Sequence, residues 1–176
     1  IPGRIVKINN KIKASNSPEF NSSNHLANKL LENKKFKAIM NIKYDQEIEK
    51  SINAIIKCIL KGHKVILFGN GGSAADAQHI AAELMGRFKL ERESYPAIAL
   101  TTDSSCITAL SNDYSFDIIF SRQCESLIHK GDVVIGISTS GNSKNILNGI
   151  KTVKKKGGIS IGLLGNNGGS ISKLVD

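Results

Sequence analysis

Apolar residues change their spacing once along the chain, close to residue 62. Before that point they recur at three and four positions: Leu26, Leu30 and Leu31 within 25–43, then Ile48, Ile52, Ile55, Ile56 and Ile59 within 46–61. This spacing puts side chains on one face of a 3.6-residue repeat and predicts two amphipathic N-terminal helices, the second closed by Gly62. Beyond it, apolar residues come in short unbroken runs at Lys64–Phe68, Ala97–Leu100, Val133–Ile137 and Ile159–Leu164, separated by helix-like stretches at 73–86, 116–129, 143–156 and 169–174. Val- and Ile-rich runs without alternation suit strands buried on both faces. The pattern therefore predicts βαβ units and an α/β, doubly wound parallel sheet flanked by helices, with ligands beyond the carboxyl ends of its strands.

Ahead of these elements, residues 1–23 are rich in Asn, Ser and Lys, contain Pro2 and Pro18, and keep no helical period after Ile12. They read as a flexible arm. The string Ser17-Pro18-Glu19-Phe20 has the look of a cloning scar, so part of the arm is expected to be vector-derived.

Two loops carry candidate chemistry. The first predicted strand runs into Gly69-Asn70-Gly71-Gly72-Ser73 and then a helix beginning Ala74-Ala75-Asp76-Ala77. Glycines allow close backbone approach, and Ser73 with Asp76 three residues later has the spacing of a capping box. Taken alone, the loop is either an ordinary tight strand-to-helix turn or a cradle for an oxygen-rich ligand. It also matches the GxGxxA dinucleotide fingerprint, but the nearest suitable acid, Asp103, lies about thirty residues on instead of about twenty. A P-loop is excluded because no Gly-Lys-Ser/Thr follows.

The second loop, Ser138-Thr139-Ser140-Gly141-Asn142-Ser143, follows the third run and leads into another helix. Hydroxyls, backbone N–H groups and the positive end of a helix dipole suit a phosphate dianion without any lysine. Paired at the ends of neighbouring strands, the two loops suit a small sugar phosphate better than a nucleotide. On the helix after the first loop, His79 and Glu83 stand four residues apart and share a face. They are either a solvated surface pair, two metal ligands, or a carboxylate base beside an imidazole. Flanking Ala77, Ile80, Ala81, Ala82 and Leu84 predict a largely buried helix, which favours function over decoration.

Composition and charge narrow the partners. The 176 residues, 40% hydrophobic and 22% charged, suit one domain with a substantial core. Net charge is +9, but residues 1–44 hold nine basic residues against Glu19 and Glu32, which leaves only +2 for the remainder. No nucleic-acid partner is expected on that balance. No apolar run reaches the roughly 18–20 residues of a membrane span, nor is a signal peptide evident, so a cytoplasmic protein without a membrane partner is expected. Cys58, Cys106 and Cys124 are widely spaced and read as small buried thiols.

The strings GNGGSAADAQHIAAEL at 69–84, Asn112-Asp113, and ISTSGNS at 137–143 together resemble the phosphoheptose isomerases of the sugar isomerase (SIS) superfamily. The resemblance runs from about residue 27 to the last. It implies a flavodoxin-like SIS domain over 24–176 and a homotetramer with active sites between subunits. It also implies conversion of sedoheptulose 7-phosphate to D-glycero-D-manno-heptose 7-phosphate, towards the heptose of lipopolysaccharide or capsule. By position, Ser138, Thr139, Ser140 and Ser143 match the family's phosphate loop, and Asn70, Gly71, Gly72 and Ser73 its sugar-binding loop. Asn112 and Asp113 match further substrate contacts, and Arg87 an active-site arginine. His79 matches a zinc ligand and Glu83 a residue that is both ligand and catalytic base, so one zinc per subunit is implied.

Aldose–ketose isomerisation moves a proton between C1 and C2 through an enediol and needs an electrophile for the developing oxyanion. The family's other zinc ligands, a Gln and a His, lie on a C-terminal helix after one more strand. The sequence stops at Asp176 before both, and the chain is expected to continue. Alternatives are a non-catalytic SIS protein that binds the replication initiator, a sugar-phosphate-sensing domain, and an arabinose 5-phosphate isomerase. The replication-associated relatives carry a non-acidic residue at the glutamate position and a first loop reading GNGTS, so Glu83 and GNGGS favour the enzyme.

Overall fold

The structure is a computed structural model that describes residues 45–176. The arm expected at 1–23 and the helix expected at 25–43 lie outside the described residues. Contacts divide the chain into two units, 1–56 and 57–176, and the sheet belongs to the second.

Helix α1 spans Asp45–Leu60. It closes as its sequence predicts, with the His63 N–H donating to Cys58 O and the Gly62 N–H to Ile59 O, both at 3.0 Å. There follow β1 (Val65–Gly69), α2 (Gly72–Met85), β2 (Ala97–Ala99), α3 (Ser104–Asp113) and a 3-10 turn (Phe116–Ile118). Then come α4 (Ile119–Leu127), β3 (Val133–Ser138), α5 (Lys144–Lys155), β4 (Ile159–Leu164) and 3-10 turns at Asn166–Gly168 and Ile171–Lys173. All strand pairings are parallel, in the order β2-β1-β3-β4.

Central strands β1 and β3 are buried at every position, which is why their sequences lack alternation. On one face Ile66, Phe68 and Val134 pack with Ile119, Phe120 and Cys124 of α4 and Ile146, Ile150 and Val153 of α5. Phe68 and Phe120 stack with ring centres 4.9 Å apart. The other face is covered by α2 through Ser73, Ala77 and Ala81; side chains this small let a helix lie close to a sheet. Since β1 leads to β2 on one side while β3 lies on the other, the order of winding reverses between β1 and β3. In such sheets the ligand crevice opens there.

Where the strands β1 and β3 begin, Asp132 is 1% exposed. Its carboxylate accepts from Lys64 Nζ at 2.6 Å, from the Lys64 N–H at 3.2 Å and from the His129 N–H at 2.8 Å.

Some expectations change. Helix α3 was not legible: SSCITALSND has no sustained period, and none of its residues is fully buried. It starts because the Asp103 carboxylate accepts from the Cys106 N–H at 2.9 Å, so the acid weighed for a dinucleotide site is a helix cap. The helix expected over 116–129 is a 3-10 turn followed by α4, and it ends at Leu127. The His129 N–H donates to Asp132 in place of a helical carbonyl. The helix expected at 169–174 is a single 3-10 turn. Cys58 and Cys124 are buried as expected, whereas Cys106 is half-buried. Burial pushes the Cys124 thiol up to about 12, with Glu125 adding to the rise.

Candidate active site

Gly69 pairs with Ile137 in the β1–β3 register, so the loops after the two strands leave the sheet side by side. In the first loop Gly71 turns the chain with φ 54° and caps α2. The helix therefore begins at Gly72, two residues before the capping box would place it. Ser73 lies buried inside the first turn, its N–H donating to Asn70 O at 2.9 Å. No capping box forms, and no side chain caps α2. Within this turn the Ser73, Ala74 and Ala75 N–H groups already donate to Asn70 O and Gly71 O, so the start of α2 offers a ligand chiefly the positive end of its dipole.

In the second loop Ser138 is 3% exposed. Its Oγ accepts from the Gly141 N–H at 3.2 Å and lies 3.2 Å from Ser143 Oγ. Ser143 precedes α5 but does not cap it through its side chain; Thr139 and Ser140 are exposed. Gly141 has φ 67°, and a Cβ there would collide with the Gly168 carbonyl. This close approach lets the segment after β4 back the loop: the Ile171 N–H donates to Gly141 O at 3.0 Å and the Ser170 N–H to Asn142 Oδ1 at 2.9 Å.

One residue joins the loops and was absent from the sequence-based set. Asn145, in the first turn of α5, exchanges two hydrogen bonds with Asn70, each 2.9 Å. Its oxygen also accepts from the Ile146 N–H at 2.9 Å. Asn145 is only 2% exposed. A signal for it exists: it falls four residues before Gly149 on the buried face of α5, a polar residue on an otherwise apolar stripe.

The remaining predicted residues lie further off. His79 Nε2 and Glu83 Oε1 are 3.7 Å apart, with side chains 75% and 34% exposed. The expectation of a largely buried α2 is thus corrected, because only Ser73, Ala77 and Ala81 are buried. Alanines at 75 and 82 are exposed instead, since small side chains serve an outward face equally well. Glu83 is ten residues past Ser73, so it lies about 15 Å along the helix axis from the first loop. Arg87 is exposed and pairs with Glu91 at 2.6 Å. Arg92 holds this end of α2 by donating to Glu83 O at 2.6 Å and Leu84 O at 2.9 Å.

Asn112 donates to Asp113 at 2.9 Å, and both are exposed. Just beyond them, Asp117 O accepts from Asn148 at 3.0 Å and its carboxylate lies 3.8 Å from Lys144 Nζ. The 3-10 turn that follows α3 is thereby packed against the first half of α5. Among the described residues no group of three or more His, Cys, Asp or Glu side chains could hold a metal, and no helix is long and apolar enough to cross a membrane.

Residues 32–165 match the SIS domain family. The chain is 56% identical over 132 residues to a phosphoheptose isomerase of Aquifex aeolicus, covering 75% of this chain and 69% of the relative. It is 60% identical over 115 residues to one of Geobacter sulfurreducens, covering 65% and 61%. Among solved structures, a phosphoheptose isomerase from Neisseria gonorrhoeae superposes with TM-score 0.68 at 36% identity over 89% of this chain and 79% of that one. One from Francisella tularensis gives TM-score 0.68 at 38% identity over 70% and 65%.

Proposed function

Because the chain belongs to the SIS domain family and, within it, to the phosphoheptose isomerases, we propose that it interconverts sedoheptulose 7-phosphate and D-glycero-D-manno-heptose 7-phosphate in the cytoplasm, towards bacterial heptose glycans. The observation that carries this reading is the adjacency of the two loops at the β1–β3 switch point, tied by the Asn70–Asn145 pair. The Ser138–Ser143 loop, at the amino end of α5, takes the phosphate through its hydroxyls and amides. The Asn70–Ser73 loop takes sugar oxygens, and Asn112 and Asp113 add contacts from the end of α3.

Glu83 supplies the carboxylate that moves a proton between C1 and C2. Its backbone lies about 15 Å along α2 from Ser73, a separation that favours a site completed by another chain. A complete site thus takes Glu83 from a second copy. The exposed outward side of α2, with Ala75, Ala82 and Met85, offers a surface for such a copy in a homotetramer.

His79 and Glu83 fit a shared zinc ion as half of a ligand set: the 3.7 Å between their donor atoms is close to the ~3.3 Å that one tetrahedral zinc spans. When bound, zinc would polarise the substrate carbonyl and stabilise its oxyanion. Its other ligands would come from outside the described residues.

The test is incubation of the full-length protein with sedoheptulose 7-phosphate, with and without zinc, following aldose formation by NMR. Turnover is expected, together with a loss of roughly hundredfold or more in Glu83→Gln while sugar-phosphate binding is retained. Binding without turnover in the unaltered protein would replace this reading with a sensing one.

A further inference from the structure

The Asn70–Asn145 pair has a polarity that follows from its surroundings. The Ile146 N–H donates to Asn145 Oδ1, which fixes that oxygen towards the backbone of α5. The same oxygen takes a hydrogen from Asn70 Nδ2, and Asn145 Nδ2 donates to Asn70 Oδ1, both at 2.9 Å. An inverted Asn145 amide would set its NH2 group against the Ile146 N–H and lose bonds in a site that is 2% exposed. Asn70 therefore has one orientation as well, with one amide hydrogen and one lone pair left for a ligand.

The two residues stand in different ligand loops. Asn70 directly precedes Gly71, where the chain turns into α2; Asn145 is two residues past Ser143. The pair is thus a strut between the loop assigned to the phosphate and the loop assigned to the sugar oxygens.

We propose that Asn145 is a positioning residue: acting through Asn70, it sets the separation of the two loops and the orientation of the Asn70 amide towards a sugar oxygen. This inference rests on the sugar-phosphate reading of the site. Asn145 does not touch the substrate. Misplacement of reacting groups by about 1 Å costs on the order of a hundredfold in rate, so a strut of this kind acts on turnover more than on capture of the phosphate.

The test is a double-mutant cycle in the full-length protein with Asn70→Ala and Asn145→Ala, read as kcat/KM for the sugar phosphate and as inhibition by inorganic phosphate. Asn145→Ala is expected to lower kcat/KM by about thirtyfold, mainly through kcat, and to change phosphate inhibition by less than about twofold. In the Asn70→Ala background it should cost less than about threefold. Asn145→Ser removes the amide without adding charge beside the phosphate loop; it should lower kcat/KM in the same direction and covers the case in which the alanine variant does not fold.

Unchanged kcat/KM in either variant, the same loss with and without Asn70, or a parallel loss of phosphate affinity would overturn the proposal. Should the unaltered protein bind without turnover, the isomerase reading fails by itself. The same cycle is then read calorimetrically as the ratio of sugar-phosphate to inorganic-phosphate affinity. That ratio drops in Asn145→Ala if the strut exists and stays constant if it does not.

Discussion

Asp132, just before β3, is almost wholly buried, with Lys64, the His129 amide and the imidazoles of His63 and His129 around it. Burial alone would push its carboxyl up. The bond from Lys64 Nζ, the two backbone N–H donors and the lysine charge outweigh burial and hold it below the usual carboxylate range. A carboxyl depressed in the folded state stabilises the fold fully above its unfolded pKa, and that contribution is lost as pH falls through the folded value. The protein should therefore lose stability on acidification below about pH 4. Asp132→Asn should be less stable by about 3 kcal/mol at neutral pH, and its melting temperature should fall less steeply with acid than that of the unaltered protein. Thermal unfolding between pH 3 and 7 checks both. Nothing in the local sequence marks Asp132, because its partner Lys64 is distant along the chain and adjacent only through strand pairing.

At the scale of elements, hydrophobic runs sufficed for all four strands and for α1, α2 and α5, because burial on one or both faces leaves a periodic trace. Helix α3 left none. The turns were less legible: GNGGS and STSGNS looked like variants of one device, but their glycines meet different surroundings. Gly71 has positive φ with open space where a side chain would go, whereas Gly141 combines positive φ with the Gly168 carbonyl at close quarters. Gly71→Ala should therefore cost only the strain of a side chain at φ 54° and ψ −120°, on the order of 1–3 kcal/mol. Gly141→Ala should in addition force the 138–143 loop off the segment after β4 and weaken inorganic phosphate binding by more than about tenfold. Urea unfolding and phosphate titration of the two variants separate these outcomes.

At the scale of the whole molecule, the site's parts divide into those one chain brings together and those it keeps apart. Asn70–Ser73 and Ser138–Ser143 converge, while His79 and Glu83 project from an exposed stretch of α2. If Glu83 serves a site on another copy, Glu83→Gln and Ser140→Ala should each be poorly active alone yet regain activity when refolded together, with about a quarter of the sites intact under random pairing. No recovery above the separate variants would place all the groups in one chain. The hydrophobic pattern by itself determined a parallel, doubly wound sheet, and the Gly- and hydroxyl-rich strings determined which loops bear the chemistry, because both are local consequences of burial and backbone freedom. Tertiary structure alone decided that these loops are neighbours and that Asn145 locks one to the other. Those relations depend on strand order, which sets distances between residues that no local run of sequence encodes.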